Sequence, residues 1–314
     1  MELNFNSVKR PNMRTFSANE IRTFCDCSRK RYYASRDLLA VRATKVTPAL
    51  SIGTAVHKWL QLMYTKSSDL LQERDSTFSI EECSAAVDEI RATIDLEAFL
   101  ADLDDDNKKI FMCITQNYLE TIVEDLTKYT VLGCEIDFRI SDWPVVDSMY
   151  HGQIDMIVLD RDAQKIRFFE HKTCKDFRPE IYNRFDIQLH IYDAYGRVYA
   201  HDLDLEWGGM ILNEIKKAKT ERGYAHHRMY YEYSFKEFDD FFRWLAAKTY
   251  AAMDSKHEPC NNYMTCKMCD YAPICLKYGY ELPTTHEEIV NAFVDEESGE
   301  AMFKYDPREA SDEE

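Results

Sequence analysis

The sequence predicts an α/β fold, a small mixed sheet flanked by helices. Three observations lead there. Segments with apolar residues at helical spacing dominate the first 130 residues. A cluster of short strand-like runs follows between residues 135 and 172. Helix-patterned and strand-patterned segments then alternate to about residue 255. A hydrophobic content of 45% and an aromatic content of 13% over 314 residues are those of a chain that packs a core.

Taken in order, Ser17-Ala18-Asn19-Glu20 has the form of a capping box, so a helix starts there and carries Cys27. A second helix holds Thr54 to Tyr64, where Val56, Leu60 and Met63 repeat at helical spacing with His57 beside the stripe. Ser79-Ile80-Glu81-Glu82 opens a third helix, and residues 107–128 form a fourth. Residues 135–140 alternate strictly, with Ile136, Phe138 and Ile140 on one face of a strand. Gly152 to Leu159 and Ile166 to Lys172 are apolar runs joined by Asp160-Arg161-Asp162-Ala163, the pattern of a β-hairpin. Residues 184–200 read as a helix, and Gly209 to Ile215 and Met229 to Tyr233 as strands. Ser234-Phe235-Lys236-Glu237 caps a long helix to about Ser255, and the segment after Ala301 is expected to be mobile.

The hairpin carries the chemistry. Side chains alternate along a strand, so Glu170 and Lys172 share one face and pairing can bring Asp155 beside them. Two carboxylates and an ammonium at one point suit binding of Mg²⁺ or Mn²⁺ and activation of a water. An ordinary cross-strand ion pair would read the same way. Glu214-Ile215-Lys216 repeats the acid-x-Lys spacing without a Gly-x-x-Asp strand before it, and reads as a basic edge facing nucleic acid. Cys266-x2-Cys269-x5-Cys275 is compact enough to hold a metal or cluster; Cys260 would complete a local four-cysteine zinc set. Cys83, Cys113, Cys134 and Cys174 lack ligand spacing and read as buried thiols.

Several short motifs occur in a fixed order. They are Cys27-Ser28-Arg29-Lys30-Arg31-Tyr32-Tyr33, Gly53-Thr54-Ala55-Val56-His57, Glu135, Gly152-Gln153-Ile154-Asp155, Glu170-His171-Lys172-Thr173, Gln188-Leu189-His190-Ile191-Tyr192 and the cysteines from Cys266 to Cys275. Together, over roughly residues 17–280, they resemble the RecB-like branch of the PD-(D/E)XK nucleases. More narrowly they resemble its iron–sulfur members, the AddB-type nuclease domain and the CRISPR-adaptation Cas-four family. Ser28 stands where that family usually has proline, and Glu170-x-Lys172 where Asp-x-Lys is commonest.

The resemblance implies a restriction-endonuclease-like core with a helical N-terminal part and a C-terminal Cys-rich iron–sulfur segment. It implies a metal-dependent DNA nuclease, an exonuclease on single strands or DNA ends, serving recombination, repair, replication or CRISPR adaptation. His57, Asp155, Glu170 and the His171 carbonyl would bind Mg²⁺ or Mn²⁺, the imidazole favouring Mn²⁺. Lys172 would orient the attacking water or stabilise charge on the phosphate. Glu135 matches the family's upstream acid, although it also fits the solvent side of an amphipathic strand. Gln188 and Tyr192 would line the catalytic site; without the resemblance they would pass for capping and packing residues. Cys27, Cys266, Cys269 and Cys275 would hold a structural 4Fe-4S cluster tying the first helix to the C-terminal segment, with Cys25 or Cys260 as substitute ligands and zinc as the alternative metal.

The organisation expected is a helical N-terminal part over residues 1–130, a nuclease core over 131–256, a Cys-rich segment over 257–283 and an acidic tail over 284–314. The net charge of −17 disfavours non-specific duplex binding, but residues 281–314 carry −10 of it. Basic residues cluster at Arg29-Lys30-Arg31, at Lys172, Lys175 and Arg178, and from Lys216 to Arg228, where they can track phosphates. Tyr32, Tyr33, Tyr182 and Phe185, interleaved with bases, are candidates to stack on unpaired bases. No P-loop is present, so a helicase would be a separate partner, as would a recombination or adaptation protein. With no signal peptide and no membrane span, the expected location is the cytoplasm, or a host's cytoplasm for a viral chain. The competing function is a non-catalytic iron–sulfur or zinc module that binds nucleic acid or scaffolds a nuclease–helicase or adaptation complex.

Overall fold

The computed structural model describes residues 13–35, 37–44, 48–72, 78–254, 257–258, 262–294 and 299–306. Cys260, Ser255 and the chain after Asp306 lie outside the described residues, with the expectations made for them. In chain order the elements are β1 (Arg14–Phe16), α1 (Ala18–Asp26), α2 (Ser28–Ala34), β2 (Val41–Ala43), α3 (Pro48–Gln72), α4 (Ile80–Thr93), α5 (Leu96–Leu100), α6 (Asp105–Asn117), α7 (Leu119–Lys128) and β3 (Tyr129–Ser141). Then follow β4 (Ser148–Asp160), β5 (Lys165–Cys174), α8 (Glu180–Arg184), α9 (Ile187–Asp202), β6 (Glu206–Lys216), β7 (His226–Tyr231), α10 (Phe235–Met253), α11 (Tyr263–Lys267), α12 (Ala272–Tyr278), α13 (His286–Val290) and β8 (Phe303–Tyr305).

The chain forms two compact units. The larger takes residues 47–137 and 153–238; the other takes 1–46, 138–152 and 239–314. In the larger unit β4 and β5 form the expected hairpin, from Asp160↔Lys165 to Met156↔Phe169. Its turn closes through Asp160, whose carboxylate accepts the Ala163 N–H (3.1 Å) and whose carbonyl accepts the Gln164 N–H (2.8 Å). β6 adds parallel to β5, and β7 antiparallel to β6. One sheet face, with Met156, Val158, Phe169, Ile211 and Ile215, packs on the apolar stripe of α3 (Val56, Trp59, Leu60, Met63) and on α4, α6 and α7. The other face receives α9 on its β5 and β6 strands, where Phe168 meets Tyr195 and Trp207.

A bulge sets the register of this sheet. Ile166 pairs with Trp207 but Phe168 pairs with Met210, so β6 carries one extra residue. Gly209 absorbs it at φ +88°, where an added Cβ would lie 2.3 Å from the Tyr231 carbonyl oxygen. Past the bulge, Glu170, His171 and Lys172 lie opposite Leu212, Asn213 and Glu214.

The second unit joins both ends of the chain. β1 lies parallel to the start of β4, and β2 pairs antiparallel with β8. Tyr33, Leu39, Val41, Tyr271, Ile274, Ile289 and Phe303 make its apolar cluster. Arg29 donates to the His257, Gly279 and Tyr280 carbonyls, Arg31 to the Ala252 carbonyl (3.0 Å), and Ser28 to the Glu258 carbonyl (2.9 Å).

Several sequence expectations need correction. Ser17 caps α1 through the Glu20 N–H, but only half of the box forms, because the Glu20 carboxylate is taken by Arg31 and Ser35. Helix α1 ends at Asp26, and Cys27 is the junction residue that caps α2. Residues 107–128 hold two helices that meet at Tyr118, a fully buried side chain. The alternation expected over residues 135–140 holds, with Phe138 and Ile140 buried and Asp137 exposed, but β3 begins earlier, and there Tyr129 and Val131 are buried at odd positions. Glu214 is 1% exposed on an interior strand, since β6 is paired on both sides, and is not a basic edge. Residues 303–305 are strand β8, ordered because Phe303 is buried, although the segment was expected to be mobile. Arg29 and Arg31 are buried, and Tyr33 is core, so this stretch is not a phosphate-tracking patch. Among the described residues, no helix is long and apolar enough to cross a membrane.

Candidate functional site

The larger unit brings the predicted acids together where the β4–β5 ladder stops. The last pair is Met156↔Phe169; one step beyond it, the Asp155 carboxylate takes the His171 N–H (2.6 Å) in place of a strand partner. The other oxygen of Asp155 lies 3.3 Å from Nδ1 of His57, which α3 carries over the sheet. Glu135, on β3, brings an oxygen to 3.9 Å from the same nitrogen. One ligand atom from each of His57, Glu135 and Asp155 falls within 4.8 Å of the other two, and this is the one such group among the described residues. Glu135 gets there by adopting φ 54°, the left-handed region that a β-carbon disfavours. That residue lies at the break in β3 where the buried parity changes.

On the opposite face of β5 from the His171 ring, Glu170 and Lys172 form a close ion pair, as their spacing predicts. Gln188, at the start of α9, accepts from Lys172 Nζ (3.1 Å) and donates to Glu170 (3.0 Å) and to the Tyr192 hydroxyl (2.8 Å). Tyr192 in turn donates to the Gln153 carbonyl (2.7 Å) on β4. Gln188 itself is held by Asp186, which caps α9 through the Gln188 N–H (2.8 Å). The His171 ring is buried, with Tyr64 and Phe169 as neighbours.

The electrostatics describe crowded acids. Burial and then the Asp155 charge push the Glu170 carboxyl up to about 7, against the pull of Lys172. Burial and the Asp155 charge also raise Glu135. Burial opposes charge on Asp155 too, yet its bond to His57 and the nearby cationic groups hold it below the usual range. Burial disfavours protonated His57, but the carboxylates outweigh it and hold the ring above its ordinary value. Lys172 is likewise held above its ordinary value by Glu170 despite burial. The Glu170 Oε2 atom is buried with no hydrogen-bond partner. Glu170 stands outside the group of ligand atoms that converge, and the two carboxylates and imidazole of that group are a donor set that fits a divalent cation.

Cys25, Cys27, Cys266, Cys269 and Cys275 all belong to the second unit. Cys27 sits at the head of α2 with the Lys30 N–H pointing at its sulfur (3.4 Å). Cys275 lies 3.9 Å from the Tyr33 hydroxyl, and Cys269 and Cys275 both pack against the apolar cluster around Tyr33. Burial raises the Cys269 thiol, and Cys275 and Cys27 are close enough to add to that rise. Cys266 is exposed, one helical turn from Cys269. Cys25 is influenced instead by Lys248 and Asp26. Thiols are the donors that a 4Fe-4S cluster takes, but among the described residues no three of these sulfurs lie within 4.8 Å of one another. Cys83 and Cys113 are buried as expected, whereas Cys134 and Cys174 are only half-buried.

Three features were not foreseen from sequence: the left-handed Glu135, the Asp155 bond to the His171 N–H, and a polar row behind His171. The row had a signal, since Asn213 and Glu214 interrupt the apolar run Gly209 to Ile215.

No curated protein matches the chain. A solved structure described as "Crystal structure of SSO0001" aligns at 16% identity over 88% of this chain and 90% of its own, with a TM-score of 0.36, too low to bear on fold or function. The family model for the PD-(D/E)XK nuclease superfamily matches residues 15–276, most of the chain and both of the regions just described. The chain belongs to the PD-(D/E)XK nuclease superfamily.

Proposed function

We propose that this protein is a metal-dependent deoxyribonuclease that hydrolyses DNA from single strands or ends, with Mg²⁺ or Mn²⁺ in the carboxylate site and a structural 4Fe-4S cluster on Cys27, Cys266, Cys269 and Cys275. The observation that carries the nuclease reading is the convergence of His57, Glu135 and Asp155 beside the Glu170–Lys172 pair. His57, Asp155, Glu170 and the His171 carbonyl would hold the cation, with Glu135 as a further ligand. When bound, the metal polarises the phosphate and lowers the pKa of a water. Lys172, tethered by Glu170 and Gln188, places an ammonium where it can orient that water or offset charge on the phosphate. Gln188 ties Glu170 and Lys172 to α9, and Tyr192 holds Gln188 in place.

Exposed aromatics support the single-strand reading. Tyr182 is 71% exposed and Phe185 70% exposed, on and just after α8, between the strand that carries Lys172 and the helix that carries Gln188. Large apolar side chains left in water beside a phosphodiester-cleaving site suit stacking of unpaired bases, worth about 1–3 kcal/mol per base.

The test is digestion of end-labelled single-stranded and duplex DNA with Mg²⁺ or Mn²⁺. Metal-dependent cleavage favouring the single strand, and weakened in Tyr182→Ala/Phe185→Ala, is expected. Absence of cleavage from protein with a full cluster would replace this reading with the non-catalytic module. For the cluster, anaerobically purified protein should be brown and iron-rich and lose its colour in Cys27→Ser; colourless protein with stoichiometric zinc would refute it.

A further inference from the structure

Behind the metal site, three neighbouring strands present a row of polar side chains to the buried face. His171 on β5 is the ladder partner of Asn213 on β6, and Asn213 is the ladder partner of Arg228 on β7. The side chains join as well. Asn213 Nδ2 lies 2.9 Å from His171 Nδ1 and 2.9 Å from the Tyr118 hydroxyl, and Arg228 Nε donates to Asn213 Oδ1 (3.2 Å). Arg228 is anchored by a two-pronged pair with Asp125 on α7 (2.5 and 2.6 Å). His171, Asn213, Asp125 and Tyr118 are all buried.

This row fixes atoms that would otherwise be free to choose. An arginine only donates, so the Asn213 oxygen must face Arg228 and its NH₂ must face His171. His171 Nδ1 is therefore an acceptor, and its hydrogen sits on Nε2. The His171 ring is thereby clamped, and the clamp bears on the metal site through one bond. Past Met156↔Phe169 the β4–β5 ladder has ended, and the His171 N–H to Asp155 is the contact that spans the gap.

We propose that Asn213, oriented by Arg228 and Asp125, is a positioning residue for the metal centre: it holds His171 so that the His171 N–H keeps the Asp155 carboxylate turned toward His57 and Glu135. The proposal rests on the nuclease reading only in requiring that a divalent cation binds there. Partners at this remove from a metal typically change its affinity about 10–100-fold. The register that sets Asn213 beside His171 comes from the Gly209 bulge; without the extra residue Leu212 would stand there.

The test is Mn²⁺ affinity measured by calorimetry on full-length protein, with thermal melts of the metal-free forms alongside. Asn213→Leu is close in volume, leaves Arg228 paired with Asp125, and has no group that can bond to His171 Nδ1 in either tautomer. It should fold and bind Mn²⁺ about 10–100-fold more weakly. A purely structural role would lower the melting temperature and leave the affinity of the folded protein unchanged, which would overturn the proposal. A second measurement needs no variant. ¹⁵N NMR of the His171 ring in the wild type should show an unprotonated Nδ1, and a protonated Nδ1 would overturn it equally. Normal Mn²⁺ binding by wild type and Asn213→Leu alike defeats this inference and spares the nuclease reading. Failure of the wild type to bind Mn²⁺ defeats both.

Discussion

Glu135 holds a backbone conformation that an L side chain adopts at a cost of about 1–2 kcal/mol, and it does so at the point where its carboxylate meets His57 and Asp155. Strain of this kind persists only where the surrounding structure holds it in place. Glu135→Gly should therefore raise the stability of the metal-free protein, by about 1 kcal/mol in urea unfolding, while weakening Mn²⁺ binding. A variant that is less stable and binds Mn²⁺ normally would contradict this. The sequence offered Glu135 as one residue of an alternating strand. Its φ could not be read there, because no glycine or asparagine marks the site. Asp155, Glu170 and Lys172 were legible because a two-residue period and one short turn determine their mutual placement.

At the scale of the element, register decides which groups meet. The single extra residue in β6, taken up by Gly209, determines that Asn213 and not Leu212 faces His171. Gly209→Ala should destabilise the protein by about 2 kcal/mol or more, since its Cβ would collide with backbone and not with a movable side chain. An unchanged unfolding midpoint would show that β6 can re-register at little cost. Helix α9 carries a pH dependence of its own. His190 is buried with Nε2 3.0 Å from the Arg184 carbonyl, and burial pushes its pKa down to about 4. The unfolded chain takes up that proton near pH 6.5, the folded one only near 4. Stability from this residue is thus complete above pH 6.5 and is lost as pH falls toward 4, by at most about 3 kcal/mol. His190→Gln should flatten this part of the urea-midpoint profile; an identical slope would refute the assignment. The strands of the sheet were legible from period and composition. The break at Tyr118 was not, because the residues on either side keep one helical stripe while the Tyr118 hydroxyl is drawn into the polar row.

For the whole molecule, the chain pattern of helices, strand cluster and alternating elements was enough to give the fold class. The larger unit's sheet fulfils it, with helices on both faces. What the sequence hid is long-range. The arginines and tyrosines after Cys27 looked like a nucleic-acid surface, yet Arg29 and Arg31 point inward to carbonyls more than 200 positions away. Composition cannot separate a solvated cation from one that ties distant segments together. The carboxylate site and the cysteine group stand in different units, so the central claim can be tested at the carboxylate site with one side chain. The most direct measurement compares wild type and Lys172→Ala for cleavage of end-labelled single-stranded DNA and for Mn²⁺ binding by calorimetry. The account predicts cleavage reduced by about 10²–10³-fold or more, with Mn²⁺ still bound. Full cleavage by Lys172→Ala, or none by the wild type with Mn²⁺ bound, would contradict it.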